Sequence, residues 1–325
     1  MISILLATYN GEKYISELLD SLLTQTFQDF IIYINDDRST DSTFSIVSGY
    51  AAKYPDKIIA RQNDINTGSA KNNFLQMMVD YKDDYVMLCD QDDVWQPDKI
   101  KKSIAKIKEM EEEFGKDTPL LVHTDLTVVD EELNVISPSY EKMSNKDFSV
   151  TSLNFAVTMS NVAGCTAVYN RTLADYFIIV PDFFVMHDWW LSLTAAVFGR
   201  IGTVREPTVL YRQHGDNEKG AKRVLSFKYI FYVLTNLKTM SAMINDSYKQ
   251  AGVFLEVYKD KLISDGSEPD ARSALLGAYS SIPGLSRFKR LGTIRRYKTF
   301  MYGKARKAAQ IFILLMSAKK RDWIY

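Results

Sequence analysis

The chain has 325 residues, enough for one large domain with additions or for two small ones. Nearly half of them are hydrophobic, a quarter are charged and the formal net charge is zero, which excludes a disordered chain and gives no global reason to expect nucleic acid as a partner. Two cysteines, Cys89 and Cys165, are too few for a disulfide framework, and no apolar run approaches the ~20 residues that cross a bilayer, so a reduced, cytoplasmic protein is expected.

Residues 2–7 are apolar, lack a preceding basic stretch and a cleavage site, and turn polar at Thr8; they read as a buried strand and not as a signal peptide. Residues 12–25 follow with helical spacing. Residues 30–34 read as a second strand, and 41–54 as a helix that Ser39, Thr40 or Asp41 can cap. The alternation continues with a strand at 57–60, a helix at 68–81, a strand at 85–89, a helix at 97–114 opening on Pro97, and a strand at 120–123. Buried strands spaced by helices imply an α/β fold with a mostly parallel sheet covered on both faces. Residues 134–149 are polar and irregular, as in a lid or a connection. A strand is expected at 161–169, a helix at 186–198 and a strand pair at 201–212. Beyond residue 220 the pattern is helical, at 225–243, 251–262, 268–279 and 293–316.

Ligands bind outside the carboxyl ends of strands in such sheets. Strand one is followed by Thr8-Tyr9-Asn10-Gly11, strand two by Asn35-Asp36-Asp37-Arg38-Ser39-Thr40-Asp41, and strand four by Asp90-Gln91-Asp92-Asp93-Val94-Trp95. Carboxylates therefore collect at one edge of the sheet. Those at Asp90, Asp92 and Asp93 repel one another unless something positive holds them. Oxygen ligands favour a hard cation, Mg²⁺ or Mn²⁺, and Mg²⁺ usually joins one or two carboxylates to substrate phosphates. The plainer reading is a solvated turn that caps the next helix; the second acidic cluster after strand two weighs against it. Asp41 reads as a helix cap, and Tyr9 either as packing or as a ring on which a base stacks.

Together these segments resemble family 2 glycosyltransferases of the GT-A fold. Thr8-Tyr9-Asn10 matches the family's opening motif. Asp36-Asp37-Arg38-Ser39-Thr40-Asp41 matches its Asp-Asp-Gly-Ser-x-Asp motif, with Arg38 in place of Gly, and Asp90-Gln91-Asp92 matches its metal motif. The resemblance covers roughly residues 1–217. It implies that Asp37 reads the nucleobase and that Asp90 and Asp92 handle the donor ribose, metal and diphosphate. The segments Cys89–Trp95, His123-Thr124-Asp125-Leu126-Thr127-Val128-Val129-Asp130, Met186-His187-Asp188-Trp189-Trp190 and Tyr211-Arg212-Gln213-His214 further look like bacterial rhamnosyltransferases of surface polysaccharide synthesis, whose donor is dTDP-L-rhamnose. The nucleotide-sugar set expected on this basis is Thr8, Tyr9, Asn10, Asp37, Arg38, Lys71, Asp90, Gln91 and Arg212; the metal ligands are Asp92 and His214. The expected domains are a GT-A catalytic domain over 1–220, with a nucleotide-sugar-binding half at 1–115 and an acceptor half at 116–220, and a helical region over 221–325.

Sugar transfer needs a base for the acceptor hydroxyl, and Asp188 is the expected one. It opens an apolar helical stretch, and a carboxylate near a helix N-terminus is stabilised as the anion. In family terms it matches the general base of inverting members; the bland reading is a helix cap. Trp95, His187, Trp189 and Trp190 are the expected acceptor-binding side chains, with core packing the alternative for the tryptophans. Lys222 and Arg223 read as surface charge or as a phosphate clamp. From Arg287 to Arg321 the chain carries many Lys and Arg and no Asp or Glu, interleaved with apolar residues. This is either a membrane-surface element suited to a lipid-linked oligosaccharide acceptor on the inner face of the cell membrane, or a helix packed on the catalytic domain or on a second subunit.

Competing classes fit less well. A sugar nucleotidyltransferase normally carries a glycine- and basic-rich phosphate loop after strand one, where Thr8-Tyr9-Asn10-Gly11-Glu12 stands here. A dinucleotide oxidoreductase lacks its Gly-x-Gly-x-x-Gly. A non-catalytic saccharide-binding protein is distinguished by having no turnover for Asp188→Asn to remove.

Overall fold

A computed structural model of the chain describes residues 1–215, 237–262 and 270–316. The expected roles of Lys222 and Arg223, the helix start at 225 and the basic stretch beyond 316 lie outside the described residues.

The sheet is built from β1 (Ile2–Thr8), β2 (Phe30–Asp36), β3 (Ile58–Gln62), β4 (Tyr85–Asp90), β5 (Val94–Trp95), β6 (Leu120–Val129), β7 (Val135–Ser137), β8 (Val168–Asn170) and β9 (Arg200–Arg212). Their spatial order is β3-β2-β1-β4-β8-β6-β9-β5, with β7 paired to β6. The first four are mutually parallel; β8 runs antiparallel to both β4 and β6, and β9 pairs parallel with β6. The α/β expectation of a mostly parallel sheet therefore holds. Every residue of β1 is buried, as a strand flanked on both edges and covered on both faces requires.

Helices α1 (Ile15–Leu23), α2 (Thr43–Lys53), α3 (Ala70–Asp80) and α4 (Lys99–Phe114) follow β1, β2, β3 and β5. Helix α1 buries Ile15, Leu18, Leu19 and Leu22, one stripe at helical spacing, against the sheet core formed by Ile4, Leu6, Ile32 and Met87. Ahead of α2, the N-cap position falls on Ser42, which makes no capping bond, and not on the expected Ser39, Thr40 or Asp41; Asp41, one residue earlier, accepts from Thr43 N at 2.9 Å.

Three local expectations change. Residues 201–212 form one strand, not a pair: β9 stays on β6 through register shifts between Thr124 and Thr127, the first of which absorbs Arg205 and Glu206 and leaves Pro207 opposite Asp125. Of the expected 161–169 strand only Val168 and Tyr169 belong to a strand, β8; Gly164–Thr166 is a 3₁₀ turn. The expected 293–316 helix is two, α12 (Arg287–Tyr297) and α13 (Lys304–Met316), because Lys298 and Gly303 adopt left-handed backbone at φ 54° and 84°. Gln310 fixes the break by accepting from Met301 N at 3.0 Å and donating to Thr299 O at 3.1 Å.

The remaining helices are α5 (Tyr140–Met143), α6 (Leu153–Ala156), α7 (Arg171–Ala174), α8 (His187–Phe198), α9 (Leu237–Val257), α10 (Lys259–Leu262) and α11 (Ala271–Ser280). The chain divides into two compact units. The first holds Met1–Ser144, Val162–Val180 and the described residues from 198 to 215. The second holds Asn145–Asn161, Pro181–Val197 and the described residues from 237 onward. This division differs from a single cut at residue 220: two segments of the expected acceptor half, 145–161 and 181–197, pack with the C-terminal helices. The aromatic contacts of Trp190 with Phe254 at 5.1 Å and Tyr258 at 6.1 Å are the physical reason. Both cysteines are buried and free. No helix among the described residues is long and apolar enough to cross a membrane.

Candidate active site

The register of the sheet assembles the site. Thr8 pairs with Asp36, and Ala7 with Asp90, so the ends of β1, β2 and β4 lie abreast. After β1 the chain moves toward β2 and β3, whereas β4 lies on the other side of β1. The crevice between the ends of β1 and β4 is therefore a topological switch point, the place where open α/β sheets bind ligands. Gln91 bridges it: Oε1 accepts from Tyr9 N at 2.8 Å and Nε2 donates to Tyr9 O at 2.9 Å. The Tyr9 backbone is thereby fixed while its residue stays 48 % exposed, leaving the ring open for stacking. Gly11 is required beside it, because a Cβ there would lie 2.4 Å from Gln91 Oε1.

Asp36 is a buried organiser. It accepts from Thr8 Oγ1 (2.9 Å), Ser39 N (2.9 Å), Ser39 Oγ (2.5 Å) and Gln62 Nε2 (2.8 Å). Thr8, expected to touch the nucleotide, is spent on this carboxylate. Asn10, at φ 48°, donates from its backbone to Ser39 Oγ and accepts from Thr40 N at 2.8 Å, which ties the β1 loop to the β2 loop.

Asp37 is held from the far side of the crevice. Its Oδ1 accepts from Asn63 Nδ2 and Thr67 N, both at 2.8 Å, and Oδ2 accepts from Thr67 Oγ1 at 2.7 Å. A carboxylate oxygen has room for two donors, so Oδ2 keeps one acceptor position. Asn66 Nδ2 also donates to Asp37 O, at 2.6 Å; Asn63, Asn66 and Thr67 were not among the expected site residues, and the signal for the last two is the turn-forming run Asn66-Thr67-Gly68-Ser69. Arg38 takes φ 64°, the left-handed conformation that glycine adopts freely, and donates from Nη1 to Asp64 O. Arginine thus preserves the turn that the motif's glycine would make. Lys71 stands at the second position of α3, half-buried, behind the Ser69 cap.

The acidic turn after β4 holds the densest charge. Asp92 Oδ2 lies 2.8 Å from His214 Nε2, so the two expected metal ligands meet although far apart in sequence. The His214 ring also rests against Tyr14, with centroids 4.9 Å apart. Arg212 makes this meeting possible. Its Nε donates to Asp92 O at 2.9 Å, its backbone N to Asp93 Oδ1 at 3.2 Å, and its Nη atoms to Glu131 O and Glu17 Oε2. Expected to bind diphosphate, Arg212 is buried and its guanidinium holds the turn to β9.

Beneath the turn, Asp90, Asp93 and Cys165 bring one ligand atom each within 4.8 Å of the others. Burial, and then the charges of Asp92 and Asp90, push the Asp93 carboxyl well above its ordinary range. Burial likewise raises the Cys165 thiol, with Asp93 and Asp90 adding to it. Lys99 lies buried below, its Nζ 4.3 Å from the centre of the Trp95 ring, and burial lowers its pKa to about 8 against the pull of Cys165, Cys89 and Asp93. A divalent cation fits this corner. Asp90 and Asp92 supply hard oxygen donors and His214 a nitrogen, and a cation there would ease the mutual repulsion of the carboxylates. Asp93 was read only as one of the mutually repelling carboxylates, without a role of its own; Cys165 escaped the sequence reading and carries no local signal, since only the 3₁₀ turn brings it below β4.

The aromatic residues expected at an acceptor surface are placed elsewhere. Trp95 is 2 % exposed and belongs to the sheet core, so it offers no face to a saccharide. In the second unit, His187, Trp189 and Trp190 are all buried; Trp189 Nε1 donates to Ala156 O at 2.6 Å and Trp190 packs on Phe184, Phe254 and Tyr258. Burial of a large ring against other rings explains the correction: each tryptophan stabilises its unit by area removed from water. Asp188, in the first turn of α8, is partly exposed. Its carboxylate favours the charged form of Lys146, whose pKa burial and the nearby Arg306 lower to about 8.

Comparison with known proteins agrees with this architecture. The family model described as glycosyl transferase family 2 matches residues 3–177. The dTDP-rhamnosyl transferase RfbG of Shigella flexneri is 33 % identical over 236 residues, which cover 69 % of this chain and 76 % of that protein. Among solved structures, S. aureus TarS 1-349 in complex with UDP-GlcNAc aligns with a TM-score of 0.55 at 18 % identity, over 91 % of this chain and 80 % of that one. The mannosyltransferase PcManGT from Pyrobaculum calidifontis, in complex with GDP-Man and Mn²⁺, aligns at 0.51 and 16 % identity, over 96 % of this chain and 78 % of that one. With its strand order, its acidic strand ends and a family match over more than half its length, the chain belongs to glycosyl transferase family 2 and is a glycosyltransferase of GT-A fold.

Proposed function

We propose that this enzyme is an inverting, metal-dependent rhamnosyltransferase. It moves L-rhamnose from dTDP-L-rhamnose to a hydroxyl of a saccharide, carried on a lipid, during synthesis of a surface polysaccharide. The observation that carries the reading is the meeting of Asp92 and His214 at the end of β4, beside Asp90 and the open ring of Tyr9. Similarity to the Shigella dTDP-rhamnosyl transferase supports the choice of sugar.

Tyr9 stacks on the base, and Asp37 reads a base N–H through the acceptor position left on Oδ2. Asp90, Asp92 and His214 would hold Mn²⁺ or Mg²⁺, and a bound ion would supply positive charge toward the departing diphosphate. Arg212 positions the Asp92 turn, and Gln91 keeps the Tyr9 backbone aligned with it. Asp188 takes the proton of the acceptor hydroxyl, a role worth ~10²–10⁴ in rate. The sugar passes in one displacement with inversion, so a β-linked donor gives an α-linked product and no covalent sugar–enzyme species forms.

The test is incubation with a panel of nucleotide sugars, with Mn²⁺, with Mg²⁺ and with chelator. Nucleotide diphosphate release from dTDP-rhamnose that chelator abolishes supports the reading. Release from UDP-hexoses alone overturns the donor, and turnover indifferent to chelator overturns the metal.

A further inference from the structure

We propose that the solvent face of α12 docks on an anionic lipid bilayer. Helix α12 turns one stripe inward, through Arg290 and Ile294. The Arg290 guanidinium is spent there, with Nε donating to Leu285 O and Nη2 to Pro283 O, both at 2.9 Å. At ~100° per residue the opposite arc collects Phe288, Lys289, Gly292, Arg295 and Arg296, all exposed. Phe288 is 86 % exposed, more than any other large hydrophobic residue among those described. The Arg296 guanidinium lies 5.6 Å from the Tyr297 ring.

No carboxylate answers these cations along the helix. Residues 287–316 contain neither Asp nor Glu, although acidic and basic residues balance over the whole chain. The combination selects the partner. An acidic protein groove would use the arginines and leave Phe288 in water. An apolar protein groove would use Phe288 and strip water from the arginines without pairing them. A bilayer interface accepts both at once, with the ring at the acyl boundary and the cations among anionic headgroups. Three turns of helix lie in the plane of such an interface, and α12 is too short and too charged to enter it end-on. The inference rests on the proposed function only in that a lipid-borne acceptor would be met at this surface. Vesicle binding is read without donor or acceptor, so it stands or falls apart from the identity of the sugar.

The full chain is floated with vesicles of phosphatidylcholine alone and of phosphatidylcholine with phosphatidylglycerol in equal parts. Binding to the second and not the first is expected, and added salt weakens it. Each cation near an anionic surface is worth about fivefold in partitioning, so Arg295→Gln with Arg296→Gln lowers binding by ~20-fold. Phe288→Ser lowers it by about threefold or more, whereas Phe288→Trp retains it and its emission shifts to the blue on the anionic vesicles. Melting temperatures unchanged from the parent chain show that the variants fold. The proposal is overturned if neutral vesicles bind equally, if the charge variant binds like the parent, or if the substitutions abolish a concentration-dependent dimer and leave vesicle binding as it was.

Discussion

Arg38 shows how a motif can survive the loss of its defining residue. A side chain at φ 64° costs ~1 kcal/mol relative to glycine, and the bond from Nη1 to Asp64 O offsets an amount of that order. Arg38→Gly is therefore expected to change stability by less than ~1 kcal/mol, whereas Arg38→Val, β-branched and without the donor, loses ~1–3 kcal/mol in denaturant melts. At the acidic turn, Asp92→Asn and His214→Ala each leave the fold intact and weaken Mn²⁺ binding by ~10-fold or more, read by calorimetry or by the Mn²⁺ concentration that restores half the turnover. An unaltered Mn²⁺ requirement in both variants would remove them from the metal site. Single residues were legible in the sequence where a short motif named them: Asp36, Asp37, Asp90 and Asp92 stand at strand ends that the apolar runs already located. Thr67 and Cys165 were not, because their roles arise from chain reversals that bring distant segments together. Trp95 was misplaced since a tryptophan following an acidic motif has the same spelling whether it faces a sugar or a core.

Among elements, the loops after β1 and β4 act as one part. A methyl group on Gly11 would meet Gln91 Cδ at 2.5 Å and drive that side chain off the Tyr9 backbone. Gly11→Ala is thus expected to raise the donor KM several-fold or more while the melting midpoint moves little, and a change confined to stability would argue against the bridge. Helix α8 gives the opposite result: Trp190→Ala costs ~3–5 kcal/mol, because the ring fills the space between Phe184, Phe254 and Tyr258. If the variant instead stayed stable and lost only acceptor affinity, the ring would have to be a sugar platform after all. Strand and helix order in the first 130 residues was readable from periodicity, except for the two-residue β5, too short to show one. The single strand β9 was not, since Pro207 reads as a break, and only pairing with β6 carries the chain past it. The split of α12 from α13 was hidden too, because Lys298 is an unremarkable helix former until its backbone turns left-handed.

For the molecule as a whole, the buried cation under the acidic turn ties stability to pH. The folded pKa of Lys99 is about 8 against an ordinary 10.5, so the unfolded chain binds more protons between those values. The buried thiols of Cys89 and Cys165, held protonated while their unfolded counterparts ionise, remove stability over the same window. With chelator present, the melting temperature of the parent chain should therefore rise more, or fall less, between about pH 8 and 10 than that of Lys99→Met. Above pH 10 burial also holds Tyr169 and Tyr279 protonated when their unfolded counterparts ionise, and further stability is lost. Equal slopes in the parent and in Lys99→Met would contradict the placement of Lys99. The division into two units was only partly legible, because segments 145–161 and 181–197 join the C-terminal helices through ring contacts that no periodicity announces.

The position of β1 has a consequence for synthesis on the ribosome. Strand β1 leaves the ribosome before β2 and β4, the strands it ends between, and all seven of its residues are buried in the folded sheet. A nascent chain shorter than about residue 90 has no partner for one edge of it, and the Tyr9 backbone must wait for Gln91. Chains stalled between β2 and β4 should therefore recruit trigger-type chaperones more strongly than chains stalled past β6, and translation that pauses in this interval should raise the insoluble fraction.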